Sequence, residues 1–162
     1  MIRSFFFAAA MVFFACLVSQ SGAMAQDEAQ PMLEASPLTV VSGDTRHDFT
    51  VEVAETPEQI ATGMMFRAEM ASDAGMLFDL GASREVNFFM KNTLIPLDLL
   101  FMDEDGQVLA IAENAVPGSL RLINPGVEVR AVLEINGGQS SELGISPGDR
   151  VEHAVFATGD GG

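Results

Sequence analysis

The run Leu97–Met102 reads Leu-Asp-Leu-Leu-Phe-Met, six residues with one polar side chain among them. A strand with one wet face alternates apolar and polar residues, whereas a run that is apolar at nearly every position suits a strand covered on both sides. Residues 86–90 (Val-Asn-Phe-Phe-Met) have much the same character, and both segments are expected to be central strands. Asp98 would then be buried, and a buried carboxylate is costly unless it is paired or protonated. Two cations stand out as partners. Lys91 is the only lysine in the chain and directly follows Phe88-Phe89-Met90; Arg67 follows Met64-Met65-Phe66. In an antiparallel hairpin Lys91 can touch Asp98 only if the register sets them opposite each other, because a one-residue slip puts them on opposite faces. Pro96 makes the intervening turn irregular. The paired register is the one expected here.

The rest of the pattern is mostly of period two. Phe49-Thr50-Val51-Glu52-Val53 alternates, as do residues 129–135 and 151–156, and Asp103-Glu104-Asp105-Gly106, Asn136-Gly137-Gly138 and Pro147-Gly148-Asp149 are turn signals between such runs. One segment reads as helix. Thr56-Pro57-Glu58-Gln59 offers a capping residue, a proline at the first helical position and a glutamine three after the cap, with Gly63 as a stop. The fold class expected is all-β: a compact sandwich or barrel-like single domain with one short helix.

The N-terminus carries Arg3, an apolar run over residues 5–18, and Ala23-Met24-Ala25. This is the pattern of a secretory signal peptide over residues 1–25, cut after Ala25, and it implies a periplasmic or secreted protein. The apolar run is short of the roughly 20 residues that a membrane-spanning helix needs, and no other segment is longer, so no transmembrane span is expected in the mature chain. Cys16 lies inside the leader without the residues that precede a lipidated cysteine, and the mature chain then has no cysteine. Residues 26–37 read as a flexible lead-in, 38–157 as the β-rich domain and 158–162 as a disordered tail.

The whole chain carries a net charge of −15. Nucleic acid is therefore an unsuitable partner, since phosphate recognition needs clustered Lys and Arg. A monomer that takes a small molecule or an envelope component fits this composition better. No metal or cofactor is expected. Asp103 to Gly106 resembles the start of a calcium loop but lacks the later ligands, and Asp-Gly there is an ordinary hairpin signal. Met64, Met65, Met70, Met76, Met90 and Met102 suit core filling better than copper, and His47 and His153 have no companion at ligand spacing. A serine-nucleophile elbow is absent, because Gly138-Gln139-Ser140 lacks its closing glycine.

Phe49-Thr50-Val51-Glu52-Val53-Ala54, Gly63-Met64-Met65-Phe66-Arg67, Gly75-Met76-Leu77-Phe78-Asp79, Phe88-Phe89-Met90-Lys91-Asn92-Thr93, Ile95-Pro96-Leu97-Asp98 and Val132-Leu133-Glu134-Ile135-Asn136-Gly137-Gly138 together resemble the domain of unknown function 192 family, also called uncharacterised protein family 0127. The resemblance covers about residues 38 to 156. It implies a compact β-rich fold, often exported or membrane-tethered, and no particular activity. Relatives usually carry tryptophan where this chain has Phe89, so an indole N–H contact to a ligand would be missing here.

The candidate site is Lys91, Asp98, Arg67, Asn92 and Thr93, with Met64, Met65, Phe89 and Pro96 as its apolar lining. Three readings remain open. The first is a binding module in which Lys91 and Arg67 anchor a ligand and Asp98 orients Lys91. The second is an enzyme acting on a small or envelope-derived substrate with Lys91 and Asp98 as an acid–base pair. The third is a structural or protein-interaction domain in which Lys91 and Asp98 satisfy each other and Asn92 and Thr93 hold the turn. Glu134 is expected to lie on a wet face.

Overall fold

All six residues of Leu97–Met102 are buried in a strand. It is the fourth of seven in the computed structural model, which describes residues 28–159. The expected leader with Cys16, and residues 160–162 of the expected tail, lie outside the described residues. The strands are β1 (Ala35–Ser42), β2 (Thr45–Ala54), β3 (Ala74–Arg84), β4 (Leu97–Met102), β5 (Val108–Ala115), β6 (Val129–Asn136) and β7 (Arg150–Glu152). Two short helices, α1 (Pro57–Thr62) and α2 (Gln139–Leu143), and a 3-10 segment at Ala154–Gly159 complete the elements. Among the described residues no helix is long and apolar enough to cross a membrane.

The strands form one sheet in the order β5-β4-β6-β3-β2-β1-β7. Neighbours are antiparallel except β2 and β3, which are parallel and joined through α1. The α1 terminus is built as its sequence suggests: Gln59 N–H donates to Thr56 Oγ1 at 3.2 Å, and Gln59 Oε1 accepts from Thr56 N–H at 3.0 Å. The fold is all-β, a curled sheet of half-barrel form with two short helices rather than one.

The curl brings the two edges of the sheet together at one end. Val108 N–H donates to Asp149 O, Gly148 N–H to Val108 O and Val151 N–H to Gly106 O, each at 2.8 Å. These bonds occupy edge groups that would otherwise be open to another chain. Gly106 makes the approach possible. Its φ is +77°, and a Cβ there would stand 2.3 Å from Val151 O. The acidic segment before it is a turn, with Asp103 Oδ1 accepting from the N–H groups of Asp105 and Gln107 at 2.9 Å.

Apolar residues line both faces of the sheet. Inside the curl Leu38, Val51, Leu77, Leu100, Leu133 and Val151 belong to one core. On the outer face Met76, Phe78, Leu99, Phe101 and Val132 form a second, covered by Met64, Val86 and Met90 from the connecting segments. Hence β3, β4 and β6 are the doubly covered strands. Residues 86–90 are not a strand. They run over the outer face, touch it with Val86, Phe88 and Met90, and make one bridge, Phe88 to Ile123. The Phe88 ring lies edge-on between Phe78 and Phe101, with centroids 5.3 and 6.1 Å away. Glu134, expected on a wet face, is 5% exposed, because the outer layer covers β6 as well. Part of the expected lead-in is docked: β1 begins at Ala35, Gln30 Nε2 donates to Gly63 O at 2.9 Å, and Leu33 N–H donates to Glu52 Oε2 at 2.7 Å.

Candidate functional site

Asp98 opens β4 on its inner side and is fully buried. Its carboxylate accepts four hydrogen bonds and none comes from a cation. Oδ1 accepts from Asn114 N–H at 2.7 Å and Gly138 N–H at 2.9 Å; Oδ2 accepts from Ser140 N–H at 2.8 Å and from the Ser140 hydroxyl. Backbone amides thus satisfy the carboxylate where Lys91 or Arg67 was expected. One side chain ties together the start of β4, the end of β5 and the entry to α2. Pro96 belongs to the same corner. Gly137 N–H donates to Pro96 O at 2.9 Å, and a Cβ on Gly137 would fall 2.8 Å from Pro96 Cβ.

Lys91 lies elsewhere, exposed on a turn and without an ion pair among the described residues. Asn92 supports that turn from the left-handed region, at φ 57°, where asparagine is tolerated. Thr93 is buried and bridges to Met65, and Asn92 O accepts from Phe66 N–H at 2.8 Å. Phe66 is itself left-handed at φ 62°, an uncommon state for a bulky residue. The two turns, Met64 to Arg67 and Lys91 to Thr93, are therefore fixed against each other. Because Asp98 is sealed and committed elsewhere, the Lys91–Asp98 acid–base pair does not form, and the hairpin whose parity it needed is absent.

Arg67 turns back to the sheet. Its guanidinium makes two 3.0 Å bonds to the Glu52 carboxylate, and both side chains are largely buried. Met64 is part of the outer core. Met65 and Phe89 do share a surface. With Ile60, Ala61, Leu80, Val86 and Phe88 they line an apolar groove of about 410 Å³ that has Arg84, Glu85 and Asn87 along its rim. The bridge from Met65 to Thr93 seats the Lys91 turn beside this groove. Of the nine expected residues, then, the structure assembles Met65, Phe89, Lys91, Asn92 and Thr93. It separates off Asp98 with Pro96, and places Met64 and Arg67, with Glu52, along a different cavity of about 580 Å³.

Sequence reasoning overlooked Ser140, Gly138 and Asn114 as partners of Asp98, and Glu52 as partner of Arg67. The pair of glycines leading into Gln139-Ser140 was the available signal, since close-packed backbone amides are what an unpaired carboxylate needs. Glu134 also differs from expectation. No described side chain hydrogen-bonds to it, and burial pushes its carboxyl up from 4.5 to about 8.

His153 has acquired a companion. Its Nε2 lies 2.7 Å from Ser36 Oγ, and its Nδ1 accepts from Val155 N–H at 3.1 Å. A ring nitrogen that accepts a backbone N–H carries no proton, so in the neutral ring Nε2 bears it and donates to Ser36. Burial lowers the imidazole's pKa, partly offset by Asp79, and favours this neutral form. The ring therefore cannot take the Ser36 proton, and the pair is a latch between β1 and the C-terminal segment. Among the described residues no group of three or more His, Cys, Asp or Glu side chains is placed to hold a metal.

A protein from Sinorhizobium meliloti 1021, described provisionally as a transcription regulator, has a structure similar to this one. The two are 44% identical, with a TM-score of 0.76, over 78% of this chain and 98% of that one. A protein of unknown function from Novosphingobium aromaticivorans is 41% identical, with a TM-score of 0.74, over 80% of this chain and 94% of that one. No curated protein matches the chain. The sequence profile of the DUF192 family, described as "Uncharacterized ACR", matches residues 38–153, and the chain belongs to that family.

Proposed function

We propose that this is an exported, non-enzymatic binding module that takes an apolar ligand with an anionic head into the groove of Met65, Phe88 and Phe89. The observation that supports it is the pairing of a concave apolar surface with two cations, Arg84 in its lining next to Glu85 and Lys91 on the adjoining turn. A groove of about 410 Å³ is within the size range of small-molecule sites. It suits an acyl chain or an aromatic group, while the ammonium and guanidinium suit a carboxylate or phosphate. Phe in place of the family's usual tryptophan keeps the apolar wall without an N–H donor, which fits a ligand bound there by apolar contact.

A nucleic-acid role, suggested by the description of the Sinorhizobium protein, finds little support in this chain. Its net charge is −15, and Arg46, Arg67 and Arg130 are already held by carboxylates.

Displacement of a dansyl-tagged fatty acid by dodecanoate and by dodecanol tests the reading. Both should bind wild-type protein, and Phe89→Asp should weaken both at least tenfold. Lys91→Met should weaken dodecanoate and leave dodecanol unchanged. Absence of binding, or a Phe89→Asp variant equal to wild type, would overturn it.

A further inference from the structure

The segment that carries Lys91 and the loop bonded to it together hold five of the eight large apolar side chains left exposed among the described residues. Leu94 is 55% exposed, Val116 67%, Leu120 71% and Leu122 61%. They stand on two loops, residues 88–96 and 116–123, that are bonded into one knot. Met90 N–H donates to Ser119 O at 2.9 Å, and Gly118 N–H donates to Met90 O at 2.9 Å and to Thr93 O at 3.1 Å. Phe88 and Ile123 form an antiparallel bridge with mutual bonds of 3.0 and 2.8 Å. Both of these pack against the outer core, and the neighbouring Phe89 and Leu122 are 42% and 61% exposed.

The charges at the knot are uncommon for this molecule. Among the described residues Arg46, Arg67 and Arg130 are in ion pairs, which leaves Arg84, Lys91, Arg121 and Arg150. Two of these four, Lys91 and Arg121, lie on the knot, and Arg121 sits between Leu120 and Leu122. Protruding aliphatic side chains with long cationic ones among them match the interfacial zone of a bilayer. There the apolar groups enter the acyl boundary and the cations remain at the level of the phosphates.

We infer that the knot of residues 88–96 and 116–123 docks on a phospholipid bilayer, with Leu94, Val116, Leu120 and Leu122 inserted and Lys91 and Arg121 at the lipid phosphates. The inserted side chains are separate from the acyl-binding groove, since none of Leu94, Val116, Leu120 and Leu122 lines it, while Lys91 stands beside both. The two cations favour anionic lipid at the knot, while the protein's overall negative charge opposes the approach at low salt.

Sedimentation of the protein with vesicles of phosphatidylethanolamine and phosphatidylglycerol tests the inference. Wild-type protein should sediment with the vesicles. Leu120→Ser combined with Leu122→Ser should reduce the bound fraction at least tenfold and leave dansyl fatty acid binding unchanged, so failure here is distinguishable from failure of the groove. Lys91→Gln combined with Arg121→Gln should weaken binding and flatten its salt dependence. Both double variants alter exposed side chains and should keep the wild-type circular dichroism spectrum. Protein that stays in the supernatant, or a serine variant that binds like wild type, overturns the inference. So does a wild-type dimer in analytical ultracentrifugation that the serine variant loses, since that would make a second copy the occupant.

Discussion

Ser140 holds Asp98 through two groups at once, its backbone N–H and its hydroxyl, both donating to Oδ2. Ser140 is fully buried at the start of α2, and that helix is followed by Ile145 in the inner core. The contact therefore fastens the cover of the barrel's interior to the first turn of a central strand. The carboxylate compensates four donors in a place closed to water, which gives Asp98 a structural reason to be there without any ligand.

Removing that acceptor should be severe. Asp98→Ala leaves the buried N–H and hydroxyl of Ser140 unpaired, each worth about 1–3 kcal/mol, together with the part-buried N–H groups of Asn114 and Gly138. A loss on the order of 4 kcal/mol or more is expected, enough to unfold many domains of this size. Asp98→Asn should do little better, since its NH₂ group would face donors. Ser140→Ala loses one bond while Ser140 N–H keeps the other, and about 1 kcal/mol should follow. Urea midpoints at neutral pH measure all three. An Asp98→Asn midpoint equal to wild type would show that the corner does not depend on a carboxylate.

Glu52 and Arg67 form the buried pair of the outer face, with side-chain exposures of 10% and 13%. Their attraction offsets a desolvation cost, so breaking the pair is worse than replacing it. Glu52→Gln or Arg67→Met alone should cost about 3 kcal/mol or more, while Glu52→Leu with Arg67→Met should recover most of the loss. A double-mutant cycle in urea checks this. Additive single and double effects would mean that the two charges are independent despite their 3.0 Å contacts.

How much of this was legible depends on what each interaction leaves in the sequence. The doubly covered strand Leu97–Met102 was readable because six near-continuous apolar residues have few other homes. Residues 86–90 have the same character but form no strand, since an apolar run without a period fits a segment laid over a sheet as well as a strand within it. Alternation in β6 suggests a wet face for Glu134, but the outer layer covers that face too, and nothing local to residue 134 records what lies above it. The pairing of Asp98 was hidden because its partners are backbone N–H groups, which every residue but proline possesses. Arg67 was recognised as a cation needing a role, yet its carboxylate is 15 residues away across the sheet. Met65 and Phe89 line one groove and the Lys91 turn is joined to it only through the Met65–Thr93 bridge, while Asp98 lies elsewhere.

Gly106 offers a direct check on the closure of the curl. Alanine there must accept a positive φ and a contact of 2.3 Å from Cβ to Val151 O. Relief requires β7 to separate from the Asp103–Gly106 turn, breaking the bond from Val151 N–H to Gly106 O. Gly106→Ala should lower stability by roughly 2 kcal/mol, within the usual range for strained backbone substitutions. Amide exchange should accelerate at Val108 and Val151 more than in β3 or β6. Unchanged protection at these two amides would show that the edges hold without this close approach.

The last test uses Glu134 as a reporter of the outer layer. Burial raises its folded pKa to about 8, against 4.5 when the chain is unfolded. Between those values the folded protein binds the proton and the unfolded chain does not, so stability falls as pH rises. The contribution is fully present below about pH 4.5, is lost progressively, and is gone once pH passes about 8. Its full size is on the order of a few kcal/mol, since each pKa unit corresponds to about 1.4 kcal/mol. Glu134→Gln keeps the shape and removes the titration. It should match wild type at pH 5 and exceed it at pH 8.5, measured as urea midpoints across that span. Parallel pH profiles for the two proteins would mean that the carboxyl is solvated in solution and that the outer layer opens above β6.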